Sequence, residues 1–495
     1  MLLAAKNLVY LQAMLLIGWS IFYYSLQSSK RSVVGHFPVL VLSAMSAVLL
    51  LSPVYSITSA VFFLFPIVAC RTRKQLLIVM TIGMLATPAL QTQVQAGGLW
   101  LFTWSLQSTF GLGGLIALFT TRKDPVTGRS GMNLALLLFL TLVIAIATRE
   151  TAVSNWTRQT VMLVCTYGVP AFVIANCLRS EVGRQTLLVT LAGLGCMLAV
   201  ELVYEARAHW PLYAGLADRY GLVRGGVFIV KFRGGAMRAY GPMDEATNAG
   251  FTLVILFAAA LACNTLFKKG GFRYLIPAII LLGVAAPQSR GALIGAGVVI
   301  LAQAFYRYGA AGLGKAVAIL APIAAVYYAR RSATGPLTDA ESTSDYRSQL
   351  FTRGMQEFWH HPIAGETMAR VYAQMDDLRQ GEGIVDFVNT YLYFALATGI
   401  IGFIAFCFVL LLPIGQLLTK RRNLLADPAT GAFAGFAFAT FVAGSVMLIF
   451  TSIQQHPMIL MLALAGAVSA IQRPRSVSLG RQATRAPAIQ AWPVL

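Results

Sequence analysis

Residues 389–416 read NTYLYFALATGIIGFIAFCFVLLLPIGQ, an unbroken stretch without a charged side chain that is closed by Lys420-Arg421-Arg422. As helix it would extend about 42 Å, more than the roughly 30 Å of a bilayer's hydrocarbon core. Runs of the same kind recur along the chain, near 8–26, 37–53, 55–70, 75–91, 98–120, 132–148, 160–178 and 186–204. They resume at 247–266, 273–288, 291–307 and 313–329, and again at 430–450 and 456–471. The 495 residues are 57% hydrophobic and 11% charged, with a mean hydropathy of +0.71. A soluble chain of this size lacks the polar surface to cover so much apolar side chain. Uninterrupted runs, rather than alternating ones, exclude a β-barrel. The expectation is an all-α polytopic membrane protein of about 12–15 transmembrane helices. The N-terminus enters its first apolar run without a small-residue cleavage signature, so it is read as a spanning helix and not a removed leader.

The formal charge of +20 would suggest nucleic acid on a soluble protein, but its distribution says otherwise. Two polar segments, 205–245 and 329–388, hold 12 of the 38 basic residues and 13 of the 18 acidic ones. The remaining basic excess sits in short clusters: Lys30/Arg31, Arg71/Arg73/Lys74, Arg122/Lys123/Arg129, Arg179/Arg184, Lys268/Lys269/Arg273 and Lys420/Arg421/Arg422. Short basic loops stay cytoplasmic, and all these clusters fit one orientation. Both polar segments then lie outside the cytoplasm. The chain divides into transmembrane helices at 1–204, a first extracytoplasmic loop at 205–245, and helices at 246–328. A large loop at 329–388, more helices at 389–472, and a disordered cytoplasmic tail at 473–495 follow. Within the large loop, 341–361 carries Leu350, Phe351, Met355 and Phe358 near helical spacing and is read as an amphipathic helix ended by Pro362.

Chemistry-bearing residues gather on the side of the two loops. Arg224, Lys231, Arg233 and Arg238 stand among glycines and aromatics in the first loop, and glycine backbone beside guanidinium groups suits phosphate oxygens. Arg290 lies in a tight turn between two apolar runs, where an ionised group must reach water or an anion. Two readings stand side by side: an anion site, or an arginine that snorkels to lipid phosphates or pairs with Glu201 or Asp244. In the large loop are Arg347, His360, His361, Glu366 and Asp386. The two histidines suit a helix C-terminal cap before Pro362, and Asp386, just before a helix at the membrane face, is the best-placed base. All six cysteines fall inside apolar runs without metal-ligand spacing, so neither disulfide, metal nor cofactor is expected.

Three pieces of the C-terminal half together resemble the bacterial O-antigen ligase and polysaccharide polymerase superfamily. They are Ser289-Arg290-Gly291-Ala292 opening a spanning helix, Arg347 followed by Trp359 and His361-Pro362-Ile363-Ala364-Gly365, and Asn389-Thr390-Tyr391-Leu392 with Gly399 and Gly402. The first eight runs match only in being hydrophobic. The resemblance implies a metal-independent glycosyltransferase of the extracytoplasmic face, using a glycan on undecaprenyl pyrophosphate as donor. It also implies that Arg290, with Arg233 or Arg238, and Arg347 bind the pyrophosphate. Fixed guanidinium groups stabilise most where negative charge develops as the sugar C1–O bond breaks. The sequence departs from the family at Val388, where ligases carry a histidine before the asparagine, and at Glu366, where a second glycine is common. Asp386, Glu366 and His361 remain the candidate catalytic groups, unless a loose transition state needs no strong base.

The missing histidine favours a polymerase of exopolysaccharide or O-antigen repeats in the inner membrane, its active site facing the periplasm. A lateral opening between helices would admit the polyprenyl tail. Membrane lipids, a flippase and chain-length-control proteins are the expected partners, and nucleic acid is not. The alternatives are a ligase moving finished polysaccharide to lipid A-core or protein, a non-catalytic subunit of the same machinery, and a transporter or lipid flippase. Transporters usually place ionisable groups near the bilayer centre and repeat their halves, and neither is seen here.

Overall fold

A backbone in hydrocarbon must satisfy its own hydrogen bonds, which leaves the helix as the solution for runs such as these. The computed structural model describes residues 2–97, 99–122, 133–149, 152–222, 228–233, 235–333, 338–379, 385 and 387–471. Its principal helices are α1 (Leu2–Ser25), α2 (Phe37–Leu51), α3 (Tyr55–Ala69), α4 (Arg73–Leu85), α5 (Leu106–Thr120) and α6 (Leu134–Thr148). Next come α7 (Val153–Cys177), which passes through a π turn at Val164–Gly168, α8 (Glu181–Ala208), α9 (Ala246–Ala262) and α10 (Phe272–Ala285). The series closes with α11 (Arg290–Ala333), α12 (Thr338–His360), α13 (Thr390–Thr419), α14 (Pro428–Met447) and α15 (Gln455–Ala470). Six of these are long and apolar enough to cross a membrane, and seven shorter apolar helices accompany them. The protein is an all-α, multi-pass membrane protein.

The helix ends are fixed by the polar residues that interrupt the apolar runs. Thr72 and Gln75 form a capping box at the start of α4, and Ser105, Asn133, Ser180 and Asp427 each accept a backbone N–H at a helix start. The most deeply buried of the six long spans, α8, packs against α1, α9 and α10. Large apolar side chains such as Leu40, Val68, Phe119, Ile401 and Phe408 remain exposed around the outside, as expected of a lipid-facing surface.

Two of the basic clusters touch directly, the amide of Arg122 donating to the carbonyl of Arg71, and others are tied to neighbouring helix ends. The amide of Lys268 donates to Ser25, Arg73 donates to the carbonyl of Leu118, and Lys420 reaches the carbonyl of Ile471. Arg421 donates to the carbonyls of Phe305 and Tyr306, just before Gly309 breaks α11 into two helices. This basic face lies opposite the loop face, where the first and second polar segments meet the ends of α6, α8 and α10.

Two features depart from the sequence reading. The run expected as one span at 98–120 begins instead with a β-hairpin on the loop face, Gln91–Ala96 paired with Leu99–Ser105, and α5 starts only after it. The alternation of polar and apolar residues in QTQVQA explains the strand, since one face can then remain in water. Secondly, 291–307 and 313–329 belong to two helices joined at Gly309 with almost no loop, because its φ of 68° permits the break. The expected tail at 473–495 lies outside the described residues.

Candidate functional site

The first-loop arginines are delivered by a minimal hairpin, Phe232–Arg233 against Ala236–Met237. Its far end aligns with the turn between α10 and α11. The carbonyl of Ala286 accepts from the amide of Ala239 at 3.4 Å, that of Pro287 from Arg238 Nε at 3.1 Å, and that of Gln288 from Arg233 Nη1 at 2.9 Å. Two residues further along, Arg290 opens α11 behind Ser289, whose Oγ accepts the amide of Ala292. Arg347, halfway along α12, approaches from the other side and donates to the carbonyl of Phe450 at 3.4 Å. Phe450 in turn lies 3.5 Å from where a Cβ on Gly291 would stand. Thus Arg233, Arg238, Arg290 and Arg347, all half-buried, converge on residues 286–291. Arg224 lies outside the described residues.

The cluster is strongly cationic. Burial first, then the neighbouring charge of Arg233, lowers Arg238 to about 10, while Glu245 partly offsets them. The side chain therefore stays protonated at neutral pH, in surroundings that an incoming anion would relieve. The expected pairing of Arg290 with Asp244 competes with another use of that carboxylate. Both Asp244 oxygens accept the amide of Ala89, and burial raises the group to about 8. Glu201 is buried in α8, and its neighbour Glu205 accepts the amides of Leu212 and Gly241, fastening the first loop to α8.

His361 and Glu366 lie in a different arrangement, a latch between the large loop and α13. The turn after α12 carries Gly365 at φ 67°, set into a break of α13 at Gly399, φ 65°. A Cβ on Gly365 would stand 2.4 Å from the carbonyl oxygen of Leu396, and one on Gly399 2.2 Å from that of Ile363, so the two backbones touch. The amides of Ile400 and Glu366 donate to Pro362 and Leu396, each at 2.8 Å. Arg149, at the end of α6, closes the latch by donating to the carbonyls of Ala364, Gly365 and Ala397. The Glu366 carboxylate accepts the amide of Thr367 and lies 3.2 Å from His361 and 3.4 Å from Arg370. The Thr367 amide, then Arg370 and His361, hold it below the usual carboxylate range, which makes it a weak base. The contacts of His361 and Glu366 are those of the latch. His360 pairs with Glu357, and Asp386 lies outside the described residues.

The entry to α13 is similarly explained. The Asn389 side chain caps the amides of Tyr391 and Leu392, Thr390 Oγ1 donates to Thr451, and the Tyr391 hydroxyl donates to the carbonyl of Ser445. Val388, in place of the expected histidine, is packed against an apolar cluster of the large loop that includes Leu350, Val371 and Phe387. Two hollows flank these elements. One, about 550 Å³, runs between the ends of α8 and α10, with Ala206, Leu282 and Ala285 in its wall and Gln288 at its edge. The other, about 770 Å³, lies between α6, α7 and the start of α13.

Residues 275–407 match the family model for O-antigen ligase. The O-antigen ligase match runs from α10 to the middle of α13 and contains Arg290, Arg347, both sides of the latch and the Asn389 cap. It supports membrane glycosyl transfer of the O-antigen ligase and polymerase type, carried by a multi-pass membrane protein. Arg233, Arg238 and Arg149 lie before it, and come to the matched segment only through the fold. No curated protein matches the chain. Sequence reasoning missed Arg149, because a single arginine at the end of an apolar run gives no sign of carbonyls more than two hundred positions away.

Proposed function

We propose that the protein is an inner-membrane polysaccharide polymerase. It joins undecaprenyl-pyrophosphate-linked oligosaccharide repeats at the periplasmic face by metal-independent glycosyl transfer. The observation that carries this reading is the convergence of Arg233, Arg238, Arg290 and Arg347 on the turn 286–291. An acceptor hydroxyl oxygen bonds to C1 of the donor sugar. The C1–O bond to the diphosphate breaks with its electron pair, and the hydroxyl proton passes to water or to a carboxylate. Four guanidinium groups then meet the charge gathering on the diphosphate, a preorganised stabilisation that costs no reorganisation during the reaction. The polyprenyl tail lies along the apolar groove between α8 and α10, whose edge residue Gln288 already holds Arg233.

Conversion of a purified lipid-linked repeat in the presence of EDTA tests this directly. Polymer forms with wild-type protein and fails with Arg290→Ala. Loss of wild-type activity in EDTA, or full-length polymer from Arg290→Ala, would remove the mechanism. The description of the matched family favours a second reading, transfer of finished polysaccharide to lipid A-core or protein. Deletion separates the two, because a missing polymerase leaves single repeats and a missing ligase leaves long chains on the carrier.

A further inference from the structure

The larger hollow takes no part in holding the diphosphate, yet it is built like a binding site. It encloses about 770 Å³, and its lower wall is apolar, with Ile146 from α6 and Met162 and Leu163 from α7. Its upper wall is aromatic and polar, formed by Tyr372, Phe387 and Tyr393 with Arg379. Tyr372 meets Phe387 edge-on with centroids 5.4 Å apart, and Phe387 meets Tyr393 at 6.3 Å, so the buried Phe387 braces an exposed and a half-buried tyrosine. Tyr167 joins the wall from the π turn of α7, a distortion often found at functional sites. Small-molecule sites have this size and this mixture of apolar wall with a few polar groups.

Its position is as informative as its lining. Thr390 and Ser452 face the hollow, and the Thr390 amide donates to the carbonyls of Leu448 and Thr451. On the same strip of chain, the carbonyl of Phe450 receives Arg347. From Phe450 to Ser452 is two residues, about 7 Å. The hollow and the arginine turn therefore share a wall one strand of backbone thick.

We infer that this hollow is the acceptor subsite and that its ligand is a saccharide, an inference that rests on the glycosyl-transfer reading above. A sugar ring offers a C–H face to aromatic rings and a hydroxyl rim to Ser452 and to Arg379, whose guanidinium group also pairs with Asp376. Seated there, its attacking oxygen bonds to C1 of a donor whose diphosphate lies on the arginines. The C1–O bond to that diphosphate breaks with its electron pair, and the hydroxyl proton leaves to water.

Tyr372 is 39% exposed, so Tyr372→Ala removes a ring of the wall and leaves the buried core intact. With a purified lipid-linked repeat as donor and a delipidated repeat oligosaccharide as acceptor, KM for the acceptor should rise about tenfold, the equivalent of 1.4 kcal/mol. KM for the donor should not change. An unchanged acceptor KM, or an equal rise in both, overturns the inference. A second measurement needs no turnover and so stands apart from the glycosyl-transfer reading. Ala147→Cys in a Cys407→Ser background places a thiol in the wall of the hollow, where maleimide labelling should be slowed by the delipidated oligosaccharide. Protection by undecaprenyl phosphate alone, and not by the oligosaccharide, would make the hollow a lipid site and overturn the inference.

Discussion

Arg290 differs from the other arginines of the cluster in opening a helix, directly behind Ser289, whose Oγ caps the amide of Ala292. Arg290→Ala should lower kcat by about 10² to 10³, the range seen when one preorganised donor to a developing anion is removed. Arg290→Lys should recover only part, since a lysine keeps the charge but loses the forked pair of N–H groups. Single-turnover kinetics with lipid-linked donor checks both, and a lysine variant equal to wild type would reduce the residue to a point charge. Glu366 gives a residue-scale prediction of another kind. Its folded pKa is depressed, so it contributes stability above the unfolded value of about 4.3. That contribution is lost as pH falls through the lower folded value. Limited proteolysis of the large loop should therefore accelerate as pH drops below about 4. In Glu366→Gln the carboxylate-dependent part of that acceleration should vanish, and an unchanged profile would show that the latch does not depend on this charge.

At the scale of elements, the latch explains why a turn and a distant helix break occur together in the sequence. Gly365 and Gly399 both adopt left-handed φ values; a Cβ on Gly365 would strike the backbone at Leu396 and Gly399, and one on Gly399 the backbone at Ile363 and Ala364. Gly399→Ala should destabilise the packing of loop on helix by roughly 1–3 kcal/mol from backbone strain alone, with the clash added. Arg149→Ala should free the same turn by leaving three carbonyls without their donor. Faster cleavage between α12 and α13, with α1–α5 still protected, is the expected digest for both; a wild-type digest from both would refute the latch. The sequence makes the two glycines conspicuous, but the pairing between them depends on contact across the fold. The same limit applies elsewhere. Apolar runs and basic clusters were legible because a charge in hydrocarbon is expensive wherever it occurs. The hairpin at Gln91–Ser105 was absorbed into a span because its second strand, LWLFTWS, is as apolar as a helix. The four arginines were legible as types suited to phosphate, whereas the carbonyls of 286–288 that aim two of them were not.

For the whole molecule, the separation of its two faces is the property on which the chemistry depends. Basic clusters of this kind are expected to hold a chain in one orientation, and the arginine turn, the latch and the hollow lie towards the opposite ends of the helices those clusters flank. A basic cluster crosses a bilayer only against both its desolvation and the membrane potential, about 2.3 kcal/mol per charge per 100 mV. Orientation should therefore be uniform in the population rather than mixed. Two exposed positions report it: Lys269 on the basic face and Ala373 in the large loop. Five of the native cysteines are buried and Cys407 is half-buried in α13, so background labelling will be low. In cells with a permeabilised outer membrane, an impermeant maleimide should label Ala373→Cys at once, and Lys269→Cys only after the inner membrane is opened. The reverse pattern would put the arginine turn in the cytoplasm, where repeats already moved outward cannot reach it. Equal labelling of both positions would mean that the basic clusters do not fix orientation. Only the first pattern leaves the four arginines facing a substrate displayed on the outer leaflet.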